Sequence, residues 1–297
     1  MKSKYFKIVF FTQFSKKIGF GHYVRSKRLY DFLKTKYQTY LYVNKNNIFI
    51  SNYLKDNSVK TIFIFNFKNY QNHNYKVIKN FFYIYFDSNL NQNKYSLNIN
   101  PLIPTKKYFS GPRWFSYPEK FFLQKQNKKK SPFKKILLCQ GGTDANNNIT
   151  SLIKTIKNKI QDIEFELNVL IPKTYKIQKN NFPVKYHQNI KDIGKFINKF
   201  DYIVTSCGLL SFEINFFGLN CTYVTSEPRE IKLAKYFQKK GFGKYFKISQ
   251  RQELLNNIYK NINEEQTTRQ LKNKIRYFKH NGLKNISKLI LNIKNEI

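Results

Sequence analysis

Two segments of the chain share one arrangement, in which an apolar run is followed by a glycine turn and then by a helical pattern. Residues 6–11 form an apolar run, Gly19-Phe20-Gly21 follow it, and apolar positions at helical spacing come next. Residues 135–139 are likewise followed by Gly141-Gly142 and by a second helical pattern. A buried strand that turns tightly into a helix is the start of a βαβ unit, whose strands run parallel. The chain is therefore predicted to be an α/β protein.

The rest of the sequence alternates between strand and helix signals in the same way. Apolar runs predict further strands at 40–43, 61–65, 81–86, 165–171, 202–205 and 221–224. Periodicity predicts helices at 48–55, 75–79, 149–156, 190–197 and 209–217, and amphipathic helices from 252 to 297. Residues 98–104 are rich in turn formers, and the polar, basic stretch 121–132 has the composition of a linker. We therefore expect two Rossmann-like domains, at 1–125 and 132–297, facing a cleft that binds the ligand.

The chain carries 54 Lys and Arg residues against 17 Asp and Glu, a formal net charge of +37. A charge of this size favours nucleic acid or an anionic membrane surface as a partner. The lysines are spread through every segment, however, and the abundance of Lys, Asn, Ile, Phe and Tyr is typical of AT-rich coding sequence. We interpret the charge as mainly compositional. Nucleic acid is then no obligatory partner, and a weak association with an anionic membrane surface stays open.

Three cysteines, Cys139, Cys207 and Cys221, have neither disulfide nor metal-ligand spacing. No apolar run approaches the ~20 residues of a membrane span, and no signal-peptide cleavage pattern follows the N-terminal lysines. The sequence therefore predicts a cytoplasmic protein without a metal or a cofactor.

His22 lies where the first glycine turn meets the first helical pattern. Glycines let backbone N–H groups approach an anion, a helix N-terminus favours negative charge, and histidine transfers protons near neutral pH. Two interpretations are open: a general base that takes a proton from an attacking water, or a residue that only caps the helix. The glycines of the turn favour the first, because they are costly unless something must approach.

Three glycines and two acids in the second half are candidates for binding a nucleotide. Gly141 and Gly142 can bring backbone donors close to a diphosphate. Asp144 follows them at a helix start, where it is either a substrate-binding residue or an N-cap. Glu213 lies one helical turn past Gly208, so its carboxylate can reach back toward that turn. The alternative for Glu213 is a solvated acid on a helix, which the apolar residues around it make less favourable.

The motifs of the chain, taken in order, resemble those of one known family. His22 stands in a G-x-G-H-x-x-R-S sequence, and Gln140-Gly141-Gly142-Thr143-Asp144 with Asn147 is similar to G-G-[ST]-D-x-x-N. Further similarities are Phe86-Asp87, Asn98-Ile99-Asn100-Pro101, Gly111-Pro112-Arg113-Trp114 and Gly208 with Glu213. From about residue 7 to residue 243, the chain thus resembles the UDP-2,4-diacetamido-2,4,6-trideoxy-beta-L-altropyranose hydrolases of pseudaminic acid biosynthesis. These are relatives of the lipid II glycosyltransferase, and the resemblance implies the same glycosyltransferase B-type fold.

The resemblance also implies a reaction and a set of roles. Water attacks the anomeric carbon of a UDP-linked amino-deoxy sugar, and UDP leaves. His22 is then the catalytic residue, and Glu213 holds the ribose of the nucleotide. The other expected roles are nucleotide binding by Gly21, Gly141, Gly142 and Gly208, and substrate binding by Asp87, Asp144, Arg229 and Glu230.

Several positions depart from the family's pattern. Asn66 stands where the family has an aspartate after its third strand, and Ser88 replaces a second aspartate. In the turn after Gly208, Leu210 stands where the family has a side chain with a hydroxyl group. The pair Arg229-Glu230 replaces two neutral amides near the sugar. These changes leave the nucleotide prediction in place and point to a different sugar or acceptor.

The sequence therefore predicts a UDP-sugar hydrolase that releases UDP and a free amino-deoxy sugar, in the biosynthesis of pseudaminic or other nonulosonic acid-type surface glycans. One alternative is a UDP-sugar-dependent glycosyltransferase of the same fold, which Arg229 and Glu230 favour. Another, from a different class, is a basic protein that binds nucleic acid or a membrane surface.

Overall fold

The computed structural model describes residues 6–15, 19–55, 59–67, 81–88, 90, 93–105, 109–124, 134–142, 144, 147–157, 165–172, 175, 177, 183–225, 227–263 and 268–296. The chain divides into two compact units. The first unit comprises residues 1–119 and 280–297, and the second comprises residues 120–279.

The elements of the first unit alternate between strands and helices before ending in strands. In chain order they are β1 (Phe6–Thr12), α1 (Gly21–Leu33), β2 (Gln38–Val43), α2 (Asn47–Lys55), β3 (Lys60–Asn66), β4 (Phe81–Phe86), β5 (Ser96–Asn100) and β6 (Phe109–Ser110). A short 3-10 helix, Pro112–Trp114, follows, and a second, Glu119–Leu123, contains the point in the chain where the second unit begins. The predicted helix at 75–79 lies outside the described residues.

The second unit repeats the alternation. Its elements are β7 (Lys134–Cys139), α3 (Asn148–Lys157), β8 (Phe165–Leu170), β9 (Val184–His187), α4 (Ile193–Ile197), β10 (Tyr202–Thr205), α5 (Leu209–Phe216), β11 (Cys221–Val224), α6 (Pro228–Lys239), β12 (Lys244–Phe246), α7 (Arg251–Asn263) and α8 (Thr268–Phe278). A last helix, α9 (Gly282–Glu296), belongs to the first unit again.

Within the described ranges, each unit is built on a parallel sheet of six strands. The strand order in the first sheet is β2-β1-β3-β4-β5-β6. β1 is apolar on both sides because it is an inner strand: Ile8 and Phe10 join one buried cluster, and Val9 and Phe11 join the cluster on the opposite face. A parallel strand covered on both faces has this continuous apolar sequence, which confirms the α/β prediction.

The order of the strands reverses at one point in each sheet. In the first sheet, β1 leads to β2 on one side, whereas β3 leads to β4 on the other. In the second sheet, whose order is β12-β11-β10-β7-β8-β9, the same reversal falls between β7 and β10. Open α/β sheets bind ligands at the carboxyl ends of the two strands that flank such a switch point. The relevant ends are those of β1 and β3 in one unit, and of β7 and β10 in the other.

Helix α9 belongs to the first unit, whereas the sequence predicted it in the second domain. Its apolar face packs into the core of the first unit through Leu283, Ile286, Ile290 and Ile293. Gly282, at its start, lies so close to the backbone of Phe115 that a side chain would collide with it. The prediction that the second domain runs from 132 to 297 is therefore wrong for this last helix. The periodicity of the tail predicted an amphipathic helix, but not which sheet it covers.

The turn predicted at 98–104 begins inside a strand instead. β5 is buried along its whole length, including Asn98 and Asn100. The Asn98 amide donates a hydrogen bond to the backbone oxygen of Leu90, which allows this polar side chain to be buried. Among the described helices, none combines the length and the apolar character needed to cross a membrane.

Candidate functional site

His22 lies at the switch point of the first sheet. Helix α1 begins at Gly21, so the histidine is in its first turn, directly after the loop that leaves β1. The Nδ1 atom of His22 lies 2.7 Å from Oδ1 of Asn66, the last residue of β3. The pair thus joins the first turn of α1, the helix that follows β1, to the end of β3. The sequence placed His22 at this turn, and it singled out Asn66 only as a departure from a family pattern.

The hydrogen bonds of Asn66 decide which nitrogen of His22 carries the proton. The Asn66 amide nitrogen donates to the backbone oxygen of His22 and to Oγ of Ser26, each at 3.0 Å. Because a carbonyl oxygen can only accept, the amide has one orientation, and Oδ1 faces the ring. An amide oxygen cannot donate, so Nδ1 of His22 carries the hydrogen. The basic lone pair of the neutral imidazole is therefore on Nε2.

Asp87 is held by a buried arginine. The Nη2 atom of Arg25 lies 2.5 Å from Oδ2 of Asp87, and Arg25 is only 2% exposed. The same nitrogen lies 3.4 Å from Nδ1 of His22 and 3.5 Å from Oδ1 of Asn66. Asp87 has φ +53°, a left-handed conformation that aspartate adopts more readily than most residues. Helix α1 is thereby joined to the end of β4, and the predicted substrate role of Asp87 stays a prediction.

In the second unit, the turns that follow β7 and β10 lie against each other. The backbone N–H of Ser206 donates to the backbone oxygen of Cys139 at 3.2 Å. Gly141 has φ +75°, and a Cβ on it would lie 3.6 Å from Oγ of Ser206. Gly142 is exposed, and Gly208 begins α5 as its N-cap. The predicted glycines are thus brought together at the switch point of this sheet.

Asp144 caps α3. Its Oδ1 accepts a hydrogen bond from the backbone N–H of Asn148 at 2.9 Å, and its Oδ2 accepts one from Ile149 at 3.2 Å. Asp144 is 4% exposed, and this burial raises the pKa of its carboxyl group, while the two hydrogen bonds oppose the rise. Asp144 thus satisfies the first two backbone N–H groups of α3 from a position four residues before its first residue, and its substrate role stays a prediction.

Three predicted carboxylates lie near the end of β7. Burial raises the pKa of the Cys139 thiol to about 12, and the negative charges of Asp144, Glu213 and Glu230 add to the rise. Glu213 is 4% exposed, on the inner part of α5. Such burial is inconsistent with a solvated helix acid.

Glu230 supports the turn after β10. Its Oε2 accepts a hydrogen bond from Oγ1 of Thr225 at 2.6 Å. Its Oε1 lies 3.1 Å from the position that a Cβ on Gly208 would occupy. Burial raises the pKa of Glu230, and hydrogen bonds from Thr225, the Cys207 backbone and Ser206 oppose the rise. The predicted contact of Glu230 with sugar hydroxyls stays a prediction. Its neighbour in α6, Arg229, has an exposed side chain.

Sequence reasoning missed two residues of these sites. In the sequence, Arg25 stands out only as one position of the G-x-G-H-x-x-R-S motif. It lies three positions after His22, however, and hence on the same helix face. In the sequence, Gln140 is simply the residue before the glycine turn, and the structure shows that its side chain is buried there. Among the described residues, no group of three His, Cys, Asp or Glu side chains is arranged to hold a metal ion.

No protein-family model matches the chain. An uncharacterized protein of Methanocaldococcus jannaschii is 27% identical over 165 residues, which are 46% of this chain and 34% of that protein. The match thus spans about a third of the length of this relative.

Solved structures of nucleotide-sugar enzymes match almost the whole chain. The spinosyn rhamnosyltransferase SpnG with thymidine diphosphate has a TM-score of 0.66 at 7% identity, covering 97% of this chain and 100% of that chain. MurG of Acinetobacter baumannii has a TM-score of 0.59 at 13% identity, covering 96% and 99%. UDP-GlcNAc 2-epimerase of M. jannaschii, solved with UDP-GlcNAc and UDP, has a TM-score of 0.60 at 10% identity, covering 98% and 100%.

The chain has the glycosyltransferase B-type fold. At these identities the likeness establishes the fold, and the activity must be argued from the residues of the site. Within this glycosyltransferase B-type fold, His22 and Asn66 lie at the switch point of the first sheet. The glycine turns of the second unit lie at the switch point of the second sheet. Membership in the pseudaminic pathway's hydrolase family stays a prediction.

Proposed function

We propose that this chain breaks the bond between the anomeric carbon and the diphosphate of a UDP-linked sugar, with His22 as the general base. The His22–Asn66 pair carries the proposal, because it fixes the imidazole in the tautomer whose Nε2 accepts a proton. The fold supports the nucleotide-sugar part, since the matching structures include transferases and an epimerase, some of them with bound UDP or thymidine diphosphate.

The chemistry assigned to His22 is a single proton transfer. Nε2 takes the proton of an O–H group as its oxygen attacks the anomeric carbon. The bond from that carbon to the diphosphate oxygen breaks, and its electron pair leaves with UDP. A positioned general base accelerates such a step by about 10²–10⁴. Asn66 holds the ring in place without adding a charge.

The leaving diphosphate is assigned to the second unit. Backbone N–H groups at Gly141, Gly142 and Gly208 can approach it closely, since a glycine carries no side chain of its own. The N-terminus of α5, which follows Gly208, adds a favourable dipole for the developing negative charge. Glu213, buried in that helix, is assigned to the ribose hydroxyls. The backbone N–H groups and the dipole of α5 stabilise the leaving diphosphate.

Water is the first candidate nucleophile, and the hydroxyl of an acceptor is the second. The order of the motifs supports a hydrolase acting on an amino-deoxy sugar for surface glycans, as in the resembling family. The transferases among the matching structures support the acceptor hydroxyl. Arg229 and Glu230 are assigned to the choice of sugar or acceptor, because their charges replace the neutral amides of the family.

The test is to incubate the purified chain with a panel of UDP-, TDP- and CMP-sugars and to measure free nucleotide and free sugar. Release of both in equal amounts without an acceptor supports the hydrolase. Release of nucleotide only when an acceptor is added supports the transferase. No release from any sugar, combined with a salt-sensitive affinity for nucleic acid, would contradict the proposal and favour a basic binding protein.

A further inference from the structure

Gln140 is a buried amide whose polar atoms find no partner in the part of the chain that the structure describes. It follows β7 directly, at the switch point of the second sheet, and it is 6% exposed. Among the described residues, neither Nε2 nor Oε1 of Gln140 has a hydrogen-bond partner. Burying an amide without hydrogen bonds costs stability, so a fold retains one where something outside the fold completes it.

The same unit satisfies a buried amide where the role is structural. Asn257 in α7 is also 6% exposed. Its amide nitrogen donates to the hydroxyl of Tyr202 at 3.0 Å and to that of Thr222 at 2.7 Å. Gln140 and Asn257 thus have equal burial and differ in whether the described residues provide hydrogen-bond partners.

The surroundings of Gln140 favour a ligand as the missing partner. At the next residue, Gly141, the described residues beyond its two chain neighbours place only Oγ of Ser206 within 4 Å of the position of a Cβ, at 3.6 Å. Gly142 after it is exposed. The amide therefore lies beside a bare stretch of backbone, to which the diphosphate is assigned.

We infer that Gln140 binds the substrate, through hydrogen bonds from its amide to a hydroxyl or acylamino group of the sugar next to the diphosphate. This inference rests on the proposed function. An amide side chain offers two donors and an acceptor. Diphosphate oxygens only accept, so they leave Oε1 of Gln140 unsatisfied. A hydroxyl or an acylamino group brings both a donor and an acceptor, and the sugar carries these groups.

The first test compares Gln140→Met with Asn257→Leu by thermal unfolding without ligand. Methionine keeps the length of glutamine and removes both polar atoms. We expect Gln140→Met to melt at the same temperature as the unmodified chain or a few degrees higher, since a buried unsatisfied amide is removed. Asn257→Leu should melt several degrees lower, because it leaves two hydroxyls without their donor. A fall for Gln140→Met as large as for Asn257→Leu means that the fold satisfies Gln140, and overturns the inference.

The second test measures the affinity of Gln140→Met for UDP and for UDP-N-acetylglucosamine by calorimetry. Loss of two neutral hydrogen bonds should lower the affinity for UDP-N-acetylglucosamine about ten-fold. The affinity for UDP should stay within about three-fold of that of the unmodified chain. Equal losses for both ligands assign the amide to the nucleotide and overturn the sugar assignment. Unchanged affinities, with both ligands bound by the unmodified chain, overturn the Gln140 inference alone. An unmodified chain that binds neither ligand overturns this inference together with the proposed function.

Discussion

The side-chain oxygen of Asn66 lies 2.7 Å from Nδ1 of His22 and so determines the tautomer of the imidazole. The resembling hydrolases have an aspartate at this point, which would place a negative charge beside the ring. The amide of Asn66 orients the histidine as well, and its nitrogen additionally ties the first turn of α1 to β3. This pair links the fold of the first unit to the proposed chemistry.

The variant Asn66→Asp should shift the pH dependence of turnover. A carboxylate next to Nδ1 stabilises the protonated imidazole. When the pH is lowered, the variant therefore loses its neutral base at a higher pH than the unmodified chain does. The acidic limb of kcat/KM should therefore move upward by about one pH unit or more. An acidic limb at the same pH in both proteins would show that a group other than His22 controls it.

The buried pair of Arg25 and Asp87 should contribute strongly to stability. Arg25 is 2% exposed, so Asp87→Asn leaves a buried guanidinium without its counter-charge. We expect a loss of about 3–5 kcal/mol in the free energy of unfolding. The double variant Arg25→Met/Asp87→Asn should lose less than the sum of the two single variants. Denaturant unfolding measures all three.

The control for this experiment lies in the same helix. Lys27 and Asp31 form an exposed pair one turn apart, with side chains 40% exposed. Asp31→Asn removes this pair and a second exposed pair with Lys34, so it should cost at most about 1 kcal/mol. If Asp87→Asn costs no more than this, the Arg25–Asp87 pair does not stabilise the end of β4.

The sequence predicted the architecture well where strands are continuous apolar runs. β1, β3, β4 and β7 follow from such runs because both faces of an inner parallel strand are buried. β5 was missed, because its asparagines have the composition of a turn, and no local pattern indicates the hydrogen bond from buried Asn98 to the backbone of Leu90. Periodicity shows that α9 is amphipathic, but the partner of its apolar face is a tertiary property.

The candidate site was predictable to the same extent. His22 and the glycine turns stand out as local motifs, because a turn between strand and helix has its own sequence signal. The pairing of Arg25 with Asp87 and the bracing of the Gly208 turn by Glu230 join distant segments, so no local pattern predicts them. Gln140 shows this limit most clearly, since only burial distinguishes it from a loop residue.

Glu230 should make stability depend on pH. Burial raises its pKa above the ordinary 4.5, so the folded chain holds the proton more tightly than the unfolded chain. Its contribution to the free energy of unfolding is therefore largest at low pH and falls as the pH rises through the folded-state pKa. Glu230→Gln should gain stability relative to the unmodified chain as the pH is raised from about 4 to about 8.

Denaturant unfolding at several pH values measures this difference. The control is Glu253→Gln, which changes an exposed carboxylate of the same unit. A difference between Glu230→Gln and the unmodified chain that stays constant with pH would rule out Glu230 as the titrating group.

Glu213 should bind the nucleotide rather than take part in the proton transfer. Glu213→Gln keeps the size of the side chain and removes the charge, so hydrogen bonds from ribose hydroxyls weaken. The affinity for UDP should fall by about 1–3 kcal/mol, with little change in the pH dependence of turnover. Calorimetry with UDP checks the first part, and an unchanged affinity would remove Glu213 from the nucleotide site.

The most direct test of the account is the turnover of His22→Asn with the nucleotide-sugar that the unmodified chain uses. Asparagine can keep a polar contact with Asn66 but has no basic nitrogen, so folding should persist while nucleotide release falls by about 10²–10⁴. His187→Asn is the matched control, because that ring is bonded to Asn168 in the other unit and has no proposed catalytic role. The account predicts a normal melting temperature and loss of turnover for His22→Asn alone. Near-full turnover of folded His22→Asn would contradict it.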